Sequence, residues 1–148
     1  MYAPARFCWD DPEKGRQEVA QAFSRITKTH RVDTSRALLG GFSQGGALAI
    51  SMALEGKPVS VKGFVGIAPA FQNLKPLIPL IGGAVKRGVK GYLITGDRDP
   101  GRRQVEQLYC EFEAKDLPCK LEVRPNLGHD YPRDFAAMLP GVVQFLLS

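Results

Sequence analysis

Long apolar runs are absent from this sequence. Its 148 residues contain no apolar stretch close to the roughly 20 residues that a membrane-spanning helix needs. The first residues also lack the basic segment followed by an apolar one that marks a secretory signal. We therefore expect no membrane span and a cytoplasmic location.

Cysteine and histidine are scarce. The three cysteines, Cys8, Cys110 and Cys119, are widely spaced and odd in number, and they form neither a C-x-x-C motif nor a ligand cluster with histidine. We expect free, reduced and mostly buried thiols. The pattern predicts no metal site, and nothing else in the sequence calls for an organic cofactor.

The basic excess lacks the pattern of a nucleic-acid-binding protein. The net charge of +5 arises from residues spread along the chain, and no basic stripe is interleaved with aromatic residues. Local basic groups, such as Arg98, Arg102 and Arg103, are interpreted as a solvated face, so we expect no nucleic-acid partner. The composition, 44% hydrophobic and 24% charged, is that of an ordinary globular protein, and the length suits one domain over residues 1–148.

Strand and helix signals alternate along the chain. Short apolar segments predict strands over residues 37–41, 61–67, 89–95 and 120–124, the last with the apolar and charged alternation of an edge strand. Helical patterns fall between these segments and after the last one, and hairpin signals are absent. The alternation predicts an α/β fold of three layers, with helices on both faces of a mostly parallel sheet of about four strands.

The first helix has a clear start signal. Asp11 is predicted as its N-cap and Pro12 as its first residue. Four residues at helical spacing predict its buried stripe: Val19, Phe23, Ile26 and His30. His30 ends the helix, where we expect a capping or surface role. The last helical segment contains Pro140, which is predicted to begin the second half of that segment.

The segment Gly-Phe-Ser-Gln-Gly at residues 41–45 has the G-x-S-x-G spacing, between a predicted strand and an alanine-rich helix. Such a turn holds its central residue in a strained conformation, and the glycines let strand and helix come close. The hydroxyl of Ser43 would then lie beside backbone N–H groups at the helix start, which can stabilise an oxyanion. Ser43 is the candidate nucleophile; the alternative is a glycine-rich turn with an incidental serine.

Three predicted strands end in loops that carry chemically useful side chains. These are Ser43, an aspartate at position 97 or 99, and His129. Because the carboxyl ends of parallel strands lie along one edge of a sheet, the three loops can converge. The chain order Ser, Asp, His is that of the α/β-hydrolases.

The sequence resembles the phospholipase/carboxylesterase family of the α/β-hydrolase superfamily, which includes the acyl-protein thioesterases. The resemblance rests on residues 41–46, 95–100 and 127–129, and it extends from about residue 8 to the C-terminus. It implies a serine hydrolase that cleaves small-molecule carboxylic esters or thioesters through a Ser-His-Asp triad and an acyl-enzyme. Asp99 would be the triad acid, Asp97 would bond loop N–H groups, and Gln44 would donate its backbone N–H to the oxyanion.

The chain departs from that family in two places. Residues 101–103, Gly-Arg-Arg, replace apolar residues and a second proline after the acid motif. We interpret the arginines as solvated; the alternative is that they favour anionic substrates. Nothing before Gly40 resembles the strands and the His-Gly-type loop that normally precede the nucleophile, so the resemblance implies a truncated, N-terminally incomplete hydrolase domain. The edge of the strand at 37–41 would then be exposed, and we expect a homodimer through that edge or a poorly soluble fragment.

The segment from Phe71 to Ile81 is apolar but is interrupted by two prolines. It is predicted either to form a wall or lid of an apolar substrate pocket, with Phe71 and Leu74 in contact with substrate, or to be a connector packed on the core. Function also has alternatives: a hydrolase-fold remnant that binds without catalysis, or a peptidase or dienelactone-hydrolase-like enzyme.

Overall fold

A computed structural model describes residues 11–148, and in this part of the chain helices alternate with parallel strands. The elements in chain order are α1 (Pro12–Thr29), β1 (Leu38–Phe42), α2 (Gln44–Glu55), β2 (Gly63–Ile67), α3 (Ile81–Lys86), β3 (Lys90–Gly96), α4 (Arg102–Ala114), β4 (Cys119–Arg124) and α5 (Phe135–Leu147). Short 3-10 turns lie at Thr34–Arg36 and Ile78–Leu80. The four predicted strands are confirmed, with ends shifted by one or two residues.

The four strands form one parallel sheet in the order β1-β2-β3-β4. When successive strands are added along one direction of a parallel sheet by right-handed crossovers, the connecting helices all lie on the same face of the sheet. Accordingly, α2, α3 and α4 contribute to a single core cluster on one side, and α1 packs against α2. Helix α5 packs on β2 and β3 from the other side. The predicted three-layer α/β fold is confirmed.

Helix α1 begins as predicted, but the predicted set of buried residues is partly wrong. Asp11 caps the helix, accepting from the N–H groups of the second and third helical residues at 3.0 and 3.2 Å. Phe23 packs against the core, whereas Ile26 is 50% exposed and His30 is an exposed C-cap. The reason is that α1 packs mainly against α2, so a narrower face is covered.

Two further expectations need correction. Helix α5 runs without a break through Pro140, because Val142 and Leu146 are buried against the sheet and hold the helix despite the missing N–H. One thiol is less buried than expected: Cys110 is exposed, whereas Cys119 is half-buried and packs against the core, and Cys8 lies outside the described residues. Burial raises the pKa of the Cys119 thiol far above its ordinary value.

The two outer strands differ in what they expose. Strand β4 is an edge strand, as its alternating pattern predicted. Strand β1 forms the opposite edge, and its residues are half-buried or exposed, in contrast to the fully buried β2.

Across residues 11–148, no helix combines the length and apolarity that crossing a bilayer requires.

Candidate active site

Ser43 lies in a sharp turn between β1 and α2. Its φ of 54° and ψ of −123° form a strained conformation for a residue with a side chain. A Cβ on Gly41 would lie 2.3 Å from the backbone of Gly45, and a Cβ on Gly46 would lie 2.9 Å from the Gly41 carbonyl oxygen. Glycine is therefore required at both positions for the strand and the helix to approach this closely, as the motif predicted for Gly41.

Backbone hydrogen bonds hold this turn from two sides. The Ser43 N–H donates to the Ile67 carbonyl at the end of β2, at 3.0 Å. The Ser43 carbonyl accepts from Ala47 in α2 at 3.1 Å and from Ala70, beyond β2, at 3.0 Å. The strained backbone is thus fixed by the neighbouring strand, the helix and the next loop, which leaves the serine side chain in a defined place.

Asp99 lies in the loop after β3 and is 5% exposed. Its Oδ1 accepts from the Gly101 N–H at 2.7 Å, and the Thr95 hydroxyl donates to its Oδ2 at 3.4 Å. Asp97 is exposed in the same loop. The prediction that Asp97 bonds loop N–H groups is therefore corrected, because it is Asp99 that accepts from the loop backbone.

His129 connects Ser43 to Asp99. Its Nε2 is 2.9 Å from the Ser43 Oγ, and its Nδ1 is 3.2 Å from Asp99 Oδ2 and 3.3 Å from Oδ1. The Asp99 side chain is 1% exposed and that of His129 is 39% exposed. In the tautomer that carries hydrogen on Nδ1, the ring donates to Asp99 and accepts the serine proton at Nε2. The structure thus brings the three predicted side chains together.

The aspartate and histidine loops are joined by close contacts that the sequence did not predict. A Cβ on Gly96 would lie 1.9 Å from the Leu127 carbonyl oxygen, so the two loops touch backbone to backbone. The Arg98 N–H donates to the same carbonyl at 3.0 Å, and the Arg98 Nη2 donates to Asn126 Oδ1 at 2.6 Å. Asn126 has a φ of 59°, a region in which asparagine is common. These contacts set the position of His129 relative to Asp99.

An aromatic row also lies beside His129. The ring of Phe42 is 5.1 Å from the His129 ring and 5.3 Å from that of Tyr131, centroid to centroid. Tyr131 in turn packs edge-on against Phe135, the first residue of α5, at 5.4 Å. Phe42 and Tyr131 are far apart in sequence, so no local pattern could have revealed this row.

A groove of about 520 Å³ begins at Gln44, the residue that follows Ser43 in the chain. One wall is a face of α2 and the other is the segment after β2, and its lining includes Gln44, Ala47, Leu48, Phe71 and Leu77. Its volume is within the range of sites for small organic ligands. The groove follows α2 for about three turns, from the nucleophile turn towards Glu55.

The segment after β2 has both of the roles that the sequence left open. Phe71 lines the groove, as a pocket wall would. Leu74 does not line it: this side chain is 7% exposed and packs into the core, so its predicted contact with substrate is corrected.

The charged groups near the site are paired or exposed. At the far end of the groove, the Arg16 Nη2 donates to Ser51 Oγ at 2.7 Å and to Glu55 Oε1 at 2.5 Å. Arg102 is paired with Glu106 at 2.7 Å in α4, which agrees with a solvated role after the acid motif. Residues 11–148 contain no group of three or more His, Cys, Asp or Glu side chains arranged to hold a metal ion.

Comparisons with known proteins agree with this fold. No protein-family model matches the chain. An acyl-protein thioesterase 1 from Mycosarcoma maydis is 28% identical over an alignment of 124 residues, which covers 77% of this chain and 51% of that protein. The chain therefore spans about half the length of the curated relative that it matches.

Solved structures are similar over nearly the whole chain. An uncharacterized protein from Bacillus cereus ATCC 10987 has a TM-score of 0.87 and 28% identity, covering 99% of this chain and 47% of the other. Acyl-protein thioesterase 2 from Zea mays has a TM-score of 0.71 and 21% identity, covering 97% and 71%. The chain is therefore similar in sequence to an acyl-protein thioesterase and shares the α/β-hydrolase fold of its structural neighbours.

Proposed function

We propose that this chain is a serine hydrolase that cleaves carboxylic esters or thioesters through an acyl-enzyme. The observation that carries the proposal is the continuous contact from the buried Asp99 through His129 to Ser43, with Ser43 on a strained turn at the start of α2. The 28% identity to an acyl-protein thioesterase supports the same reaction class.

In the proposed reaction, His129 Nε2 takes the proton of Ser43 while Oγ attacks the substrate carbonyl carbon. Asp99 holds the ring by accepting from Nδ1 and stabilises the imidazolium that forms. The proton then passes from Nε2 to the leaving oxygen or sulfur as its bond to carbon breaks. Water attacks the acyl-enzyme in the second half, with His129 again acting as the base.

The negative charge of the tetrahedral intermediate would be stabilised at the start of α2. Gln44 is the first residue of this helix, so its backbone N–H lies at the positive end of the helix dipole. We assign one oxyanion donor within residues 11–148. Removing one donor from a complete oxyanion hole lowers kcat by about 10²–10³, so we expect slower turnover than in a hydrolase with two donors.

The groove along α2 would hold the acyl group. It begins at Gln44, the proposed oxyanion donor, and Phe71 forms part of its apolar wall. Because the carbonyl must lie over Ser43 with its oxygen towards Gln44, a chain attached to that carbon can enter the groove directly. This arrangement supports a small-molecule ester or thioester with an apolar acyl part as the proposed substrate class.

A second candidate function is a binding protein with the hydrolase fold and no catalysis. The observation that favours it is that we assign a single oxyanion donor, the Gln44 N–H, within residues 11–148. In that case the groove would bind a ligand without turnover. The two functions differ in the reactivity of Ser43.

A fluorophosphonate probe separates these functions. We expect one covalent adduct per chain on Ser43, because the probe needs an activated serine and a site that stabilises the developing charge. The readout is intact mass followed by peptide mapping, with the Ser43→Ala variant as the control. Lack of an adduct in the folded chain would contradict the hydrolase proposal and favour the binding protein.

We also propose that two copies of the chain pair through the β1 edge. Gly40 lies in this strand and is exposed, and a side chain there would meet only ordinary contacts of 3.8 Å or more. A lysine on an edge strand opposes pairing with another chain. We expect a dimer for the native chain and a monomer for Gly40→Lys by light scattering after size exclusion.

The matched control for this test is Gly82→Lys. A Cβ on Gly82 has no neighbour within 4 Å, and the residue lies in α3, away from the edge. This variant should stay dimeric. A native chain that is monomeric at high concentration, or a control that dissociates equally, would contradict pairing through β1.

A further inference from the structure

We propose that Tyr131, packed on Phe42, forms the binding surface for the leaving group of the substrate, and that it favours esters and thioesters of aromatic alcohols or thiols. This inference rests on the proposed hydrolase function. It adds a second binding surface to the site, on the opposite side of Ser43 from the acyl groove.

The direction of proton transfer decides where the leaving group lies. When the bond between the carbonyl carbon and the leaving oxygen or sulfur breaks, that atom takes the proton from His129 Nε2. The leaving group must therefore lie on the side of Ser43 that faces His129. An apolar surface lies there: it begins with Phe42, whose ring is 5.1 Å from the His129 ring, and continues with Tyr131, 5.3 Å from Phe42.

The groove along α2 is not on the side of Ser43 where the leaving group must lie. Its lining comes from α1, α2 and the segment after β2, and no residue of the His129 loop takes part. The two surfaces also belong to opposite faces of the sheet: Phe71 packs against the core cluster that includes α2, α3 and α4, whereas Phe42 packs against the cluster that includes α5. An ester bound over Ser43 can thus direct its acyl chain to one face and its alcohol part to the other.

Tyr131 is both exposed and firmly held. It is 43% exposed, one of the most exposed large apolar residues in the described part of the chain. Its ring packs edge-on against Phe135 at an interplanar angle of 83°, and its backbone N–H donates to Asp130 Oδ1 at 2.7 Å. A fixed, accessible ring of this kind can take another ring in an offset or edge-on arrangement at little entropic cost.

Two esters with the same acyl group test this surface. Benzyl butyrate and ethyl butyrate yield the same acyl-enzyme, so a difference in kcat/KM reports on the leaving-group side. We expect the native chain to prefer the benzyl ester. The benzyl-to-ethyl ratio of kcat/KM should fall by roughly two- to tenfold in Tyr131→Ala, which corresponds to the contribution of one aromatic pair. The ratio should be unchanged in Tyr131→Phe, which keeps the ring.

The ratio does not depend on the fraction of active protein, so partial misfolding cannot imitate the effect. Leu139→Ala is the matched control, because Leu139 is a 41% exposed apolar residue of α5, and it should leave the ratio unchanged. An equal loss on both esters, or an unchanged ratio in Tyr131→Ala, would overturn the leaving-group surface while the hydrolase function stands. Absence of turnover dependent on Ser43 with either ester would overturn the hydrolase function, and this surface with it.

Discussion

Hydrolysis of p-nitrophenyl acetate and butyrate by the purified chain should fall by at least about 10⁴-fold in kcat when Ser43 is replaced by alanine. The hydroxyl 2.9 Å from His129 Nε2 is the proposed nucleophile, and without it no acyl-enzyme can form. Initial rates at saturating substrate measure the effect. The fold should survive, because the strained backbone at position 43 is held by its own N–H and carbonyl bonds.

Ser60→Ala is the control for this substitution. Ser60 is an exposed serine outside the site, and its variant should retain the native rate. Turnover that persists in Ser43→Ala would mean that another group carries the reaction, and the proposed mechanism would be wrong. Native protein without turnover, in a folded sample, would instead favour the binding function.

Replacing Asp99 with asparagine should lower kcat by about 10⁴-fold, the size of effect measured for the buried acid of a serine protease triad. With its oxygen bonded to the Gly101 N–H, the amide would present its NH2 group to Nδ1, which favours the wrong tautomer of His129, and without a negative charge it cannot stabilise the imidazolium. The asparagine oxygen can still accept from Gly101, so the loop should keep its shape. Thermal unfolding of the variant, measured beside its kinetics, checks that the fold is intact.

Asp97→Asn is the matched control, since it makes the same chemical change two residues away. Asp97 is exposed, whereas the Asp99 side chain is 1% exposed and lies against the imidazole. We expect the Asp97 variant to keep most of its activity. A large loss in Asp97→Asn together with a small one in Asp99→Asn would assign the acid to the other aspartate and overturn the proposed triad.

The local features of this protein were readable from its sequence. Asp11 and Pro12 start α1 as expected, because helix caps depend on residues within one turn. The strand, sharp turn and helix around Ser43 also follow from neighbouring residues, since Gly41 and Gly46 are needed wherever a strand and a helix pass this closely. The α/β fold follows from the alternation of two periodicities along the chain.

The choice between two nearby residues needed the tertiary structure. Both Asp97 and Asp99 follow β3, and the resemblance alone favoured the second; the burial of Asp99 and its contacts with Gly101 and His129 come from folding. Phe71 and Leu74 are equally apolar in sequence. Only the path of the chain after β2 directs one into the groove and the other into the core.

The sequence by itself determined which side chains carry the proposed chemistry and the strand ends on which they lie. The tertiary structure decided how they meet: Ser43 and His129 are 86 positions apart, and Arg98 is 28 positions from Asn126. The acid and histidine loops touch through Gly96 and Leu127, where a single methyl group would not fit. Contacts of this kind depend on the packing of whole strands and loops, and packing has no local period along a chain from which it could be predicted.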